Sequence, residues 1–164
     1  MERAEECLAL LRARGWMLAS AESCTGGLIA KRLTDVAGAS QAFCGGVVSY
    51  TNRVKEAALG VPHDTIAAFG PVSEPTARAM AEGVRALTGA ELGVSVTGVA
   101  GPTSDERGNP VGTVYLALAA PDATRCRRFD YGARSREEIR AAAADDALAM
   151  VCAYLREADA SAFL

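Results

Sequence analysis

The stretch Trp16-Met17-Leu18-Ala19-Ser20-Ala21-Glu22-Ser23-Cys24-Thr25-Gly26-Gly27 joins an apolar, strand-like run to a turn rich in hydroxyl groups and glycine. Apolar residues at helical spacing begin directly after it, between Leu28 and Val36. This order places Ser23 at the mouth of a sheet, beside free backbone N–H groups. Such an environment suits either an activated nucleophile or a bound anion.

Helix-like patterns and strand-like runs alternate along the rest of the chain. Helices are predicted over residues 3–14, 25–36, 53–59, 73–87 and 136–156. Strands are predicted at the approach to the Ser23 turn and over residues 43–50, 92–96, 114–120 and 125–131. The alternation predicts an α/β fold, a three-layer α/β/α sandwich with a central mixed sheet, and we expect one domain over residues 1–164.

The composition limits the classes of function. Charged residues make up 23% of the chain and the net charge is -3, which argues against broad binding of nucleic acid or anionic membranes. No apolar run approaches the roughly 20 residues of a membrane-spanning helix. The first six residues are too acidic for a signal peptide, so we expect a cytoplasmic protein.

Cysteine and histidine usage narrows the chemistry further. The cysteines lie far apart without a CxxC pair, which favours reduced structural thiols and no metal: Cys7, Cys24, Cys44, Cys126 and Cys152. The single histidine, His63, lies in a turn-like composition beside a short helical segment, where a solvated or capping role is favoured over catalysis. A hydrolase built on this chain therefore needs a base other than histidine.

A lysine is one such base. The chain contains only Lys31 and Lys55, and Lys55 follows the end of the predicted strand at residues 43–50. Burial at a strand mouth depresses the pKa of an ammonium group, as a lysine base requires near neutral pH. Ser23 and Lys55 are therefore a candidate serine–lysine dyad, with Tyr50 near enough to orient the pair or relay a proton.

Other interpretations of the same residues stay open at this stage. Ser23 also suits a helix cap, and Lys55 also suits a solvated surface position. The glycine pair after Ser23 suits a phosphate-binding turn, although neither GxGxxG nor GxxxxGK[ST] is present. Cys24, at a helix N-terminus, is a third candidate because its thiol can be acidified there.

Two further segments are candidates for ligand binding. Residues 97–102 follow a predicted buried strand and consist mostly of small residues, which allow either close approach of a ligand or a tight turn. Arg134, Arg136 and Arg140 lie at the start of the last predicted helix. Guanidinium groups and the helix dipole favour an anion there, and a solvated basic face is the alternative.

Five motifs together closely resemble the CinA C-terminal-domain family, the nicotinamide-nucleotide amidohydrolases. They occur in the family's order at residues 21–27, 50–61, 70–74, 97–102 and 110–114. The resemblance extends from about Ala4 to Leu155. It implies hydrolysis of the carboxamide of nicotinamide mononucleotide to nicotinic acid mononucleotide and ammonia, without a metal or other cofactor.

The resemblance also implies roles for individual residues. Ser23 corresponds to the nucleophile, Lys55 to the general base, and Tyr50 to a tyrosine of the same motif. The turn and the loop supply the expected substrate-binding residues, which are Cys24, Thr25, Gly26, Gly27, Thr97, Gly98, Ala100 and Gly101. We expect nicotinamide mononucleotide as the binding partner and a homodimer or higher homo-oligomer.

Two positions depart from the family pattern. Asn109 stands where the family has a lysine, and the family's Gly-Asp-Arg motif is loosened over residues 132–136. Arg140 aligns with a later arginine of the family. It is therefore our first choice for the 5′-phosphate of the substrate, and Arg136 is our second.

Two rival functions remain at the level of sequence. One is a non-catalytic nucleotide-binding or regulatory module of the competence and damage-inducible type. The other is a hydrolase of the same chemistry that acts on a different amide. Ammonia release from nicotinamide mononucleotide distinguishes the three hypotheses.

Overall fold

The computed structural model describes the backbone of residues 2–161 and the side chains of residues 2–158. Its strands are β1 (Leu18–Glu22), β2 (Phe43–Val48), β3 (Leu92–Gly98), β4 (Thr113–Ala119) and β5 (Thr124–Asp130). They form a five-stranded sheet in the order β2-β1-β3-β4-β5. Strand β1 runs parallel to both of its neighbours, whereas β4 is antiparallel to β3 and to β5, so the sheet is mixed as predicted.

Helices cover both faces of this sheet. They are α1 (Arg3–Arg14), α2 (Leu28–Thr34), α3 (Asn52–Leu59), α4 (His63–Phe69), α5 (Glu74–Thr88) and α6 (Arg136–Ser161), with a 3₁₀ turn at Ala39–Gln41. Residues of α1, α2 and α6 share one core cluster with the sheet, and residues of α3, α4 and α5 pack against the opposite face. The predicted three-layer α/β/α architecture is confirmed.

Alternation along the strands separates the two cores. On β4, Leu116 and Leu118 belong to the cluster with α6, whereas Ala117 and Ala119 contact α5. Small residues on the α5 side let that helix approach the sheet closely. At Gly93, an added Cβ would lie 2.4 Å from the carbonyl oxygen of Ala81, so a side chain there would push α5 outward.

The boundaries of several elements differ from the predictions. Helix α2 begins at Leu28 rather than at residue 25, because Gly26 and Gly27 have φ angles of 60° and 105° and form a turn. Strand β2 ends at Val48, two residues early, and α6 extends to Ser161. His63 is the first residue of α4; its exposed ring is 2.5 Å from Glu56 Oε1, in agreement with a solvated role.

The connections between the strands create a crevice at the end of the sheet where β1 and β3 terminate. Strand β1 connects through α2 to β2 on one side, whereas β3 continues to β4 on the other side. Ligands of α/β sheets bind where neighbouring strands send their connections in opposite directions. The Ser23 turn and the loop after β3 meet at this position. Within residues 2–161, no helix has the length and apolar character needed to cross a membrane.

Candidate active site

The Ser23 turn is anchored to the central strand of the sheet. Ser23 is buried directly after β1, and its N–H donates to the carbonyl of Val96 on β3 at 2.9 Å. The N–H of Gly26 donates back to the carbonyl of Ser23 at 3.0 Å and closes the turn. These contacts hold the main chain of Ser23 on both sides.

Lys55 reaches this hydroxyl from α3. The distance from Lys55 Nζ to Ser23 Oγ is 2.8 Å. The carbonyl oxygens of Ser49 and Tyr50 lie 2.7 and 3.3 Å from the same nitrogen. Only 1% of the Lys55 surface is exposed, and this burial lowers the pKa of the amine from 10.5 to about 8.

The three contacts of Lys55 can be made by either protonation state of the amine. A neutral amine has two N–H groups and one lone pair. When the amine is neutral, the carbonyls of Ser49 and Tyr50 can accept its two N–H groups, which leaves the lone pair for the hydroxyl proton of Ser23; when it is protonated, Nζ donates to all three oxygens. None of these partners is a carboxylate, so the ammonium form gains no ion pair from its hydrogen-bond partners, and burial disfavours it. The arrangement is that of a base beside its nucleophile.

Cys24, the next residue in the turn, has a buried thiol whose surroundings disfavour the thiolate. Burial is the largest influence on its thiol and raises the pKa to about 12, although Lys55 and Arg140 partly oppose this. A thiol with so high a pKa carries little thiolate near neutral pH. Among the described residues, no group of three or more His, Cys, Asp or Glu side chains is arranged to hold a metal ion.

A cavity of about 180 Å³ opens onto the pair. It is lined by Ser23, Cys24, Tyr50, Asn52, Lys55, Pro71, Val72, Thr97, Gly98, Ala100 and Arg136. The structure thus brings together most of the side chains expected from the sequence. Asn52, Pro71 and Val72 were missed, although each lies within a motif that the resemblance had used.

Five predicted binding residues shape the site from outside the cavity lining. Gly26 and Gly27 provide the backbone geometry of the turn, and the Thr25 hydroxyl donates to Glu22 Oε1 at 2.6 Å. The carbonyl of Gly101 accepts a hydrogen bond from Arg136 at 2.7 Å. The fifth residue, Arg140, is described below.

Arg136 spans the mouth of the cavity. One guanidinium nitrogen donates to the carbonyl of Gly101, and the other lies 2.8 Å from the hydroxyl of Tyr50. The phenol of Tyr50 therefore contacts this arginine rather than Ser23 or Lys55. Tyr50 orients the pair through its main-chain carbonyl instead of through its side chain, which sequence reasoning had invoked.

Arg140 contacts the main chain of the Ser23 turn. Its Nε and a terminal nitrogen donate to the carbonyls of Cys24 and Thr25, each at 3.0 Å. A trans peptide directs its N–H away from its carbonyl, so these contacts turn the N–H of Thr25 away from Arg140. In the part of the chain that the structure describes, no backbone carbonyl accepts from the N–H groups of Cys24 or Thr25. The N–H of Ser23, by contrast, already donates to the carbonyl of Val96.

Fold and site together define an α/β domain that carries a buried serine–lysine pair at a sheet switch point. A family model for the CinA C-terminal domain matches residues 1–155, and the chain belongs to this family. The CinA-like protein of Myxococcus xanthus is 49% identical over 155 residues, which cover 94% of this chain and 37% of that protein. The chain spans about a third of the length of the curated relatives that it matches.

Solved structures agree with this assignment. The competence/damage inducible protein CihA from Agrobacterium tumefaciens is 41% identical, with a TM-score of 0.89 and coverage of 94% of this chain and 93% of that one. A CinA superfamily protein from Klebsiella pneumoniae is 32% identical, with a TM-score of 0.90 and coverage of 96% and 99%. Both similarities extend over nearly the whole chain.

Proposed function

We propose that this domain hydrolyses the carboxamide of nicotinamide mononucleotide to nicotinic acid mononucleotide and ammonia. The observation that carries the proposal is the contact of 2.8 Å between Lys55 Nζ and Ser23 Oγ, with carbonyl oxygens at the other two positions of the amine. The substrate is the one implied by the family resemblance. The contact supports an amide hydrolysis that needs no histidine.

Acylation begins at the serine. Ser23 Oγ attacks the carboxamide carbon, and Lys55 Nζ takes the hydroxyl proton as the C–O bond forms. The carbonyl oxygen becomes an oxyanion, for which the N–H groups of Cys24 and Thr25 are the proposed donors. Loss of one such donor costs about 10²–10³ in rate in other acyl-transfer enzymes.

Collapse of the tetrahedral intermediate releases the amine. The C–N bond breaks, and Lys55 returns its proton to the departing nitrogen so that ammonia leaves. The acyl group is then an ester on Ser23. Water attacks this ester while Lys55 again takes a proton, which passes back to Ser23 as the acid is released. The sum is one amide and one water converted to one acid and one ammonia.

The cavity has room for the reacting ring but not for a whole nucleotide. Its volume of about 180 Å³ is smaller than the roughly 300–1,000 Å³ of pockets that enclose drug-sized ligands. The ribose and phosphate therefore extend outward past the mouth. Arg136 lines that mouth and is the cation we assign to the 5′-phosphate, in place of Arg140.

The deciding experiment is an ammonia-release assay with nicotinamide mononucleotide. The wild-type domain should release ammonia and form the corresponding acid in equal amounts. Ser23→Ala should abolish this release, whereas Cys24→Ala should keep much of it. If the wild type forms no product, the hypothesis of a non-catalytic nucleotide-binding or regulatory module is favoured instead. Activity on a different amide would favour a hydrolase of the same chemistry with another substrate.

The roles of Arg136 and Arg140 can be distinguished by comparing a substrate that carries the phosphate with one that lacks it. Arg136→Ala should lower kcat/KM for the mononucleotide by about ten- to a hundredfold through loss of charge-assisted contacts. It should change the value for nicotinamide riboside little. Arg140→Ala should lower kcat for both substrates alike, since its guanidinium holds the turn. A selective loss for the mononucleotide in Arg140→Ala would return the phosphate to that residue.

A further inference from the structure

Glu22, the last residue of β1, contacts both sides of the serine–lysine pair. Its side chain reaches the turn that carries Ser23, and its main chain reaches the segment that holds Lys55. Only 1% of its surface is exposed. Neither contact belongs to the chemistry described above.

The carboxylate of Glu22 fixes the start of α2. Oε1 accepts from the Thr25 hydroxyl at 2.6 Å and from the N–H of Ile29 at 2.8 Å, and Oε2 accepts from the N–H of Ala30 at 3.0 Å. Gly27 stands at the cap position of α2 and has no side chain to accept these donors. The carboxylate thus replaces the missing cap and ties the turn to β1.

The carbonyl of Glu22 fixes the other half of the pair. It accepts from the N–H of Ser49 at 2.8 Å and from the Ser49 hydroxyl at 3.2 Å. Ser49 in turn presents the carbonyl that lies 2.7 Å from Lys55 Nζ. Two hydrogen bonds to one carbonyl therefore hold the residue that positions the amine.

We propose that Glu22 and Ser49 are positioning residues that set the contact between Ser23 and Lys55 from both sides. This inference rests on the proposed function only in the identity of the reaction that the Ser23–Lys55 pair catalyses. A displacement of about 1 Å in a reacting group can cost roughly a hundredfold in rate. A neutral amide at residue 22 cannot accept from every donor, because its nitrogen would face the N–H of Ala30.

The principal test compares Glu22→Gln with Glu91→Gln. Glu91 is a matched control, since its Oε2 accepts the backbone N–H of Met17 at 2.6 Å near the opposite ends of β1 and β3. Glu22→Gln should lower kcat about ten- to a hundredfold with KM within about twofold. Glu91→Gln should keep both parameters near wild type. Melting temperatures of both variants report how much of each effect comes from the fold.

A second readout does not depend on the substrate. An arylsulfonyl fluoride labels an activated serine: Ser23 Oγ bonds to sulfur, fluoride leaves, and Lys55 takes the hydroxyl proton. The labelling rate of Glu22→Gln should fall in proportion to kcat, while that of Glu91→Gln should not. Wild-type protein that resists labelling would overturn both the pair's reactivity and this inference.

Ser49→Ala tests the contact between the Glu22 carbonyl and Ser49. It also keeps the inference testable if the Glu22→Gln variant does not fold. Its control is Ser95→Ala, because the Ser95 hydroxyl is also buried and donates to a carbonyl, that of Ala77, at 2.6 Å. Loss of the Ser49 hydroxyl should slow labelling about two- to tenfold, as one hydrogen bond predicts. Ser95→Ala should label at the wild-type rate.

The outcomes separate this inference from the proposed function. Labelling that depends on Glu22 and Ser49 supports the inference even if nicotinamide mononucleotide yields no ammonia, a result that would refute only the proposed substrate. Wild-type labelling rates in Ser49→Ala and in any folded Glu22→Gln protein would overturn the inference even if ammonia is released. Equal effects in the test and control variants would also overturn it.

Discussion

The two lysines of the chain lie in opposite environments. Lys31, on α2, is largely exposed and lies 2.7 Å from the carboxylate of Asp35. Lys55, on α3, is buried against two carbonyls and a hydroxyl, with no carboxylate among its hydrogen-bond partners. A lysine becomes a base through such surroundings, since burial without an opposite charge disfavours the ammonium form. Residue type alone would not have distinguished the two.

The strongest test of this comparison exchanges each lysine for arginine. Lys55→Arg should lower kcat by about 10²–10⁴-fold, because a guanidinium keeps its proton and cannot act as a general base. Lys31→Arg should retain wild-type activity. Steady-state ammonia release measures both. Near-normal turnover of Lys55→Arg would reduce the role of this residue to a positive charge.

A smaller change places a carboxylate in the cavity that Lys55 lines. Wild-type activity should rise with pH through about 8, as Lys55 loses its proton. Asn52 lines the same cavity, and Asn52→Asp should raise the pKa of Lys55 and move the profile upward by about one unit. Asp35→Asn, the control beside Lys31, should leave the profile in place. A profile that does not move in Asn52→Asp would exclude Lys55 as the titrating group.

The smallest expected effect is on stability. The pKa of Lys55 is about 8 in the folded protein and 10.5 in the unfolded chain, so between these values the unfolded state binds more protons. Folding stability from this group therefore rises with pH in that window. Denaturant unfolding should show this rise for wild type relative to Lys55→Met. Lys31→Met is the matched control. If the stability of wild type relative to Lys31→Met rises with pH in the same way, the rise cannot be assigned to Lys55.

Local patterns were sufficient for most of the fold. Apolar spacing and helix-start signals located every helix of the described residues except α4, which was not predicted, and buried runs located the strands. The start of α2 was predicted three residues early, because periodicity continues through Gly26 and Gly27 while their positive φ angles end the helix. Pattern alone does not report backbone dihedral angles.

The contact between Ser23 and Lys55 was predictable from the sequence, whereas the positions of the two arginines relative to the cavity were not. Ser23 and Lys55 each follow a strand end, and parallel neighbouring strands bring such ends together. Arg136 and Arg140 lie one helical turn apart, and their spacing does not show which points to the cavity and which to the turn. That difference depends on the placement of α6 against the sheet, a long-range property.

The residues that perform the proposed chemistry, and most of those that position it, fall between Glu22 and Lys55, within the continuous unit from β1 to α3. The loop after β3 and the helix α6 contribute Ala100 and Arg136 to the rim. Reaction and selectivity are therefore encoded in separate parts of the chain. Libraries confined to residues 98–112 and 134–139 are a rational starting point for redirecting the proposed activity to other amides, while Ser23, Lys55 and the turn contact of Arg140 stay untouched.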